Sequence, residues 1–246
     1  VIWHITLITY KRMGTLHNIM TAIVITAYNR KDFIEKAVLS LLNQKGVDIE
    51  DFELIFSVNF DINYLIEKHK LNEKFTKVNI AQASTKIGET LANGIQKAKS
   101  KDFFFLEDDD MFTEDHMEKI LEFRKQIEKD SYAIHNLQYF IDGKNNPIKL
   151  PINYDAMKWH NVSSFYIHFV SSEEKEEFID ILKNVELAPD LAIYIYFLNK
   201  NAYFEIPERL TYFRVHSANT SSQRNHARLL HIQKDDLYLY RFVKNK

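Results

Sequence analysis

The sequence predicts an α/β fold: a mainly parallel sheet flanked by helices on both faces, in a single domain. Three observations lead to it. Short apolar runs that end in polar residues, the pattern of buried strands, recur at 21–30, 52–58, 76–83 and 102–107. Amphipathic helical spacing follows the first run and precedes the fourth, which is the alternation of strand and helix that builds parallel sheets. The 246 residues include only 5 Gly and 4 Pro, too few for a linker-rich chain.

Each element has its own signal. "TAIVITAYNR" (21–30) is the first strand, and Asp32 is the expected N-cap of the helix behind it. In that helix Ile34, Ala37, Val38, Leu41 and Leu42 recur at helical spacing, and Gly46 is placed to end it. "FELIFSV" (52–58) and "TKVNIAQA" (76–83) are the second and third strands. Residues 88–100 form a helix with Leu91, Ile95 and Ala98 on one face, and "DFFFLE" is the fourth strand. Residues 114–129 read as a helix with acidic residues in its first turn, where the helix dipole favours them.

The region 131–170 is β-rich, with turn signals at Asp142-Gly143 and Asn145-Asn146-Pro147. Helices follow at 172–184 and 190–200, then a strand "AYFEIP" (202–207) and a terminal helix over 223–245. Residues 1–20 read as an N-terminal extension of open role. Within it "ITLITYKRMGTL" (5–16) echoes "IVITAYNRKDFI" (23–34).

Composition narrows the function classes. A formal net charge of −2 gives no general basic surface, so nucleic acid is not an expected partner. The absence of cysteine excludes disulfides and thiolate metal sites and fits a reducing compartment. No run approaches the roughly 18 apolar residues of a membrane span. The start of the chain lacks the basic, apolar and small-residue order of a signal peptide. The expectation is a soluble, cytoplasmic protein without a transmembrane segment, which leaves room for peripheral contact with a membrane.

The chemistry is signalled by "FFFLEDDDMF" (103–112). Glu107, Asp108, Asp109 and Asp110 follow four apolar residues of a buried strand. So dense a run of like charge repels itself unless water or a cation compensates it. In α/β sheets ligands bind beyond the carboxyl ends of the strands, where both this run and Tyr28-Asn29-Arg30 should open. Carboxylates there supply hard oxygen ligands for Mg²⁺ or Mn²⁺, which take one or two and complete their shell with water and phosphate. In an extended segment Asp108 and Asp110 would point one way, Glu107 and Asp109 the other. The competing reading is a solvated loop that caps the next helix.

These blocks together resemble glycosyltransferase family 2, whose members have the GT-A, Rossmann-like fold. "IVITAYNR" resembles the family's first-strand motif, "AVLSLLNQ" the following helix, and "GETLANGIQKAKSKDFFFLEDDD" the helix and strand that lead to its acidic metal motif. "PDLAIYIYFLNKNAYFEIPERLTYFRVHSANTS" resembles the distal block, where an acid opens a helix and an Arg-x-His segment follows. The likeness runs through most of residues 21–222.

The resemblance implies a metal-dependent, inverting transfer of a sugar from a nucleotide-diphosphate-sugar to an acceptor hydroxyl, with Mn²⁺ or Mg²⁺ as cofactor. It implies Asp109 as the first metal ligand, with Asp108 and Asp110 close behind, His216 on the metal or diphosphate, and Arg214 on the leaving diphosphate. Asp190 matches the general base, although Pro189 stands where the family often has Glu, and an N-cap role for Asp190 stays open. Thr26, Ala27, Tyr28 and Arg30 match the nucleotide-sugar strand motif; Glu107 belongs to the acidic motif. Lys86 is a further phosphate contact. Where the family has an acid for the base, "SVNFDIN" offers Asp61 or Asn59. Trp159, between the two blocks, is the candidate for stacking on the acceptor, which the sequence leaves open as glycan, lipid-linked or protein.

The implied organisation is a nucleotide-sugar half (21–112), an acceptor and catalytic half (113–222) and a C-terminal helix (223–246). Two alternatives stay in view. One is a catalytically impaired nucleotide-sugar-binding protein of the same fold. The other is a sugar nucleotidyltransferase, although "TAYNRKDF" lacks the glycine-rich loop that chemistry calls for.

Overall fold

The structure, a computed structural model, describes residues 20–149, 160–216 and 226–244. Four parallel strands carry the first half: β1 (Thr21–Ala27), β2 (Phe52–Val58), β3 (Lys77–Gln82) and β4 (Asp102–Glu107). The second half adds β5 (Met111–Phe112), β6 (Tyr132–Ile141), β7 (Phe165–His168) and β8 (Tyr203–Arg214). They form one eight-stranded sheet in the order β3-β2-β1-β4-β7-β6-β8-β5. Antiparallel β7 joins the two halves, since it pairs with both β4 and β6.

Every residue of β1 and β2 is buried, which explains their unbroken apolar runs: both faces of these strands are covered. The helices are α1 (Lys31–Leu42), α2 (Asn63–Lys68), α3 (Leu71–Lys74), α4 (Ile87–Lys97), α5 (His116–Arg124), α6 (Ser172–Lys183), α7 (Pro189–Asn199) and α8 (His226–Lys244). Gly94 lets α4 lie flat on β1, because a Cβ there would overlap the Val24 side chain. Val24 pairs with Phe105 and Thr26 with Glu107, so the last residue of β4 faces the same side as α4. On the opposite side Phe104 packs against Phe52, Phe112, His116 and Tyr166.

The predicted β1, β2, β3, β4, α4 and α6 stand close to their expected places, and three details differ. Asp32 is not the cap of α1: the helix begins at Lys31, Arg30 holds the N-cap position, and no side chain caps it. Gly46 lies beyond the end of α1 at Leu42, in a turn where its φ of 69° favours glycine. The strand expected at 202–207 runs on to Arg214, because β8 pairs with β6 as far as Ile141↔Arg214. The short α2, α3 and β5 have no periodic signal of their own. The echo at 5–16 and Trp159 lie outside the described residues.

Candidate active site

β1 and β4 are neighbours in register, so their polar ends emerge side by side. The carbonyl of Thr26 accepts from the Asp108 amide at 3.0 Å, extending the ladder by one step. Then the chain turns, with the Asp110 amide donating to the Glu107 carbonyl at 3.1 Å. That turn breaks the alternation expected of an extended run, and Asp108 and Asp109 both reach Arg30.

Arg30 arrives there through a second turn. Asn29 takes a left-handed φ of 59°, a conformation Asn tolerates better than most residues. It is pinned from both ends by Asn59: the Asn29 amide donates to Asn59 Oδ1 at 2.9 Å, and Asn59 Nδ2 donates to Asn29 Oδ1 at 2.7 Å. The guanidinium then forks onto Asp108, Nε to Oδ2 at 3.1 Å and Nη2 to Oδ1 at 2.5 Å, while Nη1 donates to Asp109 Oδ2 at 2.6 Å.

The three aspartates are buried and have different partners. Asp108 spends both oxygens on Arg30. Asp110 Oδ2 accepts from Asn161 Nδ2 (2.8 Å) and Ser163 Oγ (2.7 Å), and its Oδ1 accepts from the Arg214 amide (3.1 Å). Asp109 Oδ2 lies 2.9 Å from His216 Nε2. Burial, then repulsion by Asp109, lifts the Asp110 carboxyl to about 7 against the pull of Ser163, Asn161 and Arg214. Burial and the neighbouring aspartates also hold Glu107 and Asp108 well above the usual carboxylate range, against the pull of Arg30.

Arg214, expected on the leaving diphosphate, is engaged with the protein itself. It is fully buried; Nε donates to the Asp109 carbonyl at 2.8 Å and Nη1 to Asn145 Oδ1. It braces the acidic turn from behind. His216, two residues on, lies against Phe33 with ring centroids 4.8 Å apart and planes tilted by 34°, and meets Asp109 of the same turn.

Beside the turn, on the α4 side of the sheet, opens a pocket of about 320 Å³. It is lined by Thr26, Ala27, Tyr28, Arg30 and Glu107 from the strand ends, by Ser84, Thr85, Ile87 and Thr90 around the start of α4, and by Leu187. The volume is at the low end for small-molecule sites. Five of the predicted site residues therefore share one cavity. Asp61 and Lys86 do not line it: Asp61 Oδ1 accepts from the Asn63 amide at 2.9 Å at the start of α2, and Lys86 is exposed at the N-cap of α4. The hydroxyls of Ser84 and Thr85 and the side chain of Leu187 were missed; Ser84-Thr85 lies just past β3, where strand-end reasoning could have found it.

Asp190 occupies the first turn of α7, after Pro189. Ala188, not Asp190, holds the N-cap position. Burial raises the Asp190 carboxyl to about 6, the Leu191 and Asp190 amides oppose this, and Asp235 adds to it. Asp190 in turn contributes to the repulsion felt by Glu107, which puts the two carboxylates within electrostatic reach across the crevice.

A separate His/Glu group is built from β6, β8 and the stretch before β7. His135, His160 and Glu205 place one ligand atom each within 4.8 Å of one another. The Tyr203 hydroxyl lies 3.1 Å from His160 Nε2 and donates to Glu205 Oε1 at 3.0 Å, so a hydrogen-bonded network already runs through this group.

The mixed sheet carries an acidic turn and a ligand-sized pocket at the ends of its parallel strands, the arrangement of an α/β fold with its site at the strand ends. The sequence signature "Glycosyl transferase family 2" matches residues 22–197, and the chain belongs to that family of enzymes. This assignment goes against the nucleotidyltransferase alternative. An uncharacterized glycosyltransferase of Haemophilus influenzae is 30% identical over 138 residues, 53% of this chain and 52% of its own length. The chain thus spans about half the length of that curated relative. Among solved structures, S. aureus TarS superposes with a TM-score of 0.59 at 15% identity, over 80% of this chain and 37% of that one. S. aureus TarS 1–349 in complex with UDP-GlcNAc gives 0.61 at 12% identity, over 89% and 66%. At these identities the likeness is one of fold.

Proposed function

We propose that the chain transfers a sugar from a nucleotide-diphosphate-sugar to an acceptor hydroxyl, with inversion at the anomeric carbon. The observation that carries this reading is the placement of the acidic turn. The turn gives Glu107 to the pocket wall beside Arg30, and Arg30 in turn holds Asp109, which meets His216. The fold neighbour TarS 1–349 has been solved in complex with UDP and with UDP-GlcNAc, which makes UDP-sugars the first donors to try.

The donor set fits a divalent cation at one point. Asp109 Oδ2 and His216 Nε2, a carboxylate and an imidazole 2.9 Å apart, can both turn toward one ion, a pair that suits Mn²⁺ somewhat better than Mg²⁺. Asp108 and Asp110 fit less well, because both oxygens of each are engaged, by Arg30 and by Asn161, Ser163 and the Arg214 amide, whereas on Asp109 it is Oδ2 that Arg30 Nη1 and His216 share. When bound, such an ion supplies positive charge to a leaving diphosphate.

The chain's own residues account for the remaining steps. Arg30 and Arg214 hold the turn from the two sides, which fixes Asp109 and His216 before substrate arrives. Thr26, Tyr28, Ser84 and Thr85 provide polar contacts for the nucleotide. Asp190, with a carboxyl near 6, is ionised at neutral pH and basic enough to take the proton of an acceptor hydroxyl. One such base suits a single in-line displacement.

Titration calorimetry with UDP- and GDP-sugars in the presence of Mn²⁺ tests the donor half of this reading. NMR of the product anomer tests the stereochemical half. Binding of no nucleotide-sugar, or retention of configuration, would overturn it.

A further inference from the structure

The segment from Val185 to Ala188 has no regular structure, yet it supplies Leu187 to the pocket and leads directly into the first turn of α7, which carries Asp190. It is clamped from two directions. On the α4 side the Ile87 amide donates to the Glu186 carbonyl at 2.8 Å. Gly88 makes this approach feasible, because a Cβ there would overlap the carbonyl oxygens of Leu182 and Val185. From the other side comes Asp235 of α8, which is 1% exposed. Its carboxylate accepts three consecutive backbone amides, Glu186 (2.9 Å, on Oδ1), Leu187 (2.8 Å) and Ala188 (3.1 Å, both on Oδ2).

Three donors on one carboxylate make an anion-binding nest, filled here by a side chain from a helix beyond the residues 22–197 that define the family match. The third amide belongs to Ala188, the N-cap residue of α7, two positions before Asp190. We propose that Asp235 is a positioning residue for the reaction: through these three amides it fixes the segment that sets both Leu187 in the donor pocket and Asp190 in the crevice. This rests on the reading of Asp190 as the base.

The charge of Asp235 acts in the same direction as its geometry. Burial first, then the charge of Asp235, disfavours the Asp190 anion, and Asp235 so strengthens it as a base. His231 and Lys234 on α8 face Asp235, and both also pair with Glu186. Substituting Asp235 removes the bracket and one negative charge while leaving His231, Lys234 and Glu186 in place.

The test needs no substrate. In D235N, or D235S should D235N not fold, amide hydrogen exchange at 186–188 is expected to accelerate about a hundredfold. The Asp190 carboxyl, followed by NMR, should titrate at least about half a unit below its wild-type midpoint. Accelerated exchange with an unmoved Asp190 titration would show that releasing the segment does not reach Asp190, and would overturn the proposal. So would unchanged exchange. The base reading is tested apart from this by D190N, which keeps Asp235: normal sugar transfer by D190N defeats the base assignment and leaves the bracket measurements standing.

Discussion

Arg30 grips Asp108 with a two-pronged fork, Nε at 3.1 Å and Nη2 at 2.5 Å, and reaches past it to Asp109. The arginine side chain is 24% exposed and the Asp108 side chain 0%, so the pair is largely shielded from water. Removing one partner of such a pair leaves a buried charge uncompensated. Arg30→Ala should destabilise the fold by about 3–5 kcal/mol, measured by urea unfolding. Arg30→Lys keeps the charge, loses the fork, and should fall between the two. Equal stability for all three proteins would mean that the acidic turn does not depend on this contact.

Asp109 and His216 meet at 2.9 Å in front of that turn. If they hold the divalent ion, Asp109→Ala and His216→Gln should each weaken Mn²⁺-dependent UDP-sugar binding by at least about tenfold, with the circular dichroism spectrum unchanged. Asp110→Asn should act differently. It disturbs the bonds to Asn161, Ser163 and the Arg214 amide, so its main effect belongs in stability.

Gly88 is a packing requirement. Gly88→Ala pushes a methyl group into the Leu182 and Val185 carbonyls and should cost about 1–3 kcal/mol in thermal or urea unfolding. Because the same contact holds the segment leading to Leu187 and Asp190, donor affinity should fall with it. A variant as stable as wild type would show that α4 can move back freely.

His116 carries a pH signature. It is fully buried and stacked on Phe112, with centroids 3.7 Å apart; Nδ1–H donates to the Leu210 carbonyl, and burial depresses its pKa from 6.5 to about 4. Between those values the unfolded chain binds the proton and the folded chain does not. Stability from this group is therefore present above about 6.5 and lost as pH falls toward 4. Relative to His116→Gln, wild type should lose about 2 kcal/mol between pH 7 and pH 5. The comparison with the variant is needed because Asp110 and Asp190, with raised pKa values, change stability in the opposite sense over the same range.

The strands that position the site were legible because they are buried on both faces and so read as unbroken apolar runs. β4 was read to its exact residues. The meeting of Arg30 with the acidic run followed from both lying at strand ends. What stayed hidden depends on long-range contacts with no periodicity. Asn161 and Ser163 lie about fifty residues from Asp110, and their only local signal is an Asn cap on a short 3-10 turn. Arg214 was read as a diphosphate contact from the resemblance of its Arg-x-His segment; its burial was not legible, because it depends on β8 running on past residue 207. Asp235 resembled any acid on an exposed helix, since the amides it accepts belong to residues almost fifty positions away.

The central claim is that Asp190 is the base of a sugar transfer, and one comparison reaches it directly. Nucleoside diphosphate release and sugar transfer are measured for wild type and Asp190→Asn with the donor that binds best, while donor affinity is followed by calorimetry. The account predicts a kcat lower by about 10²–10⁴-fold at unchanged donor affinity, and a wild-type kcat/KM that declines as pH falls through about 6. Turnover by the variant within threefold of wild type would contradict it.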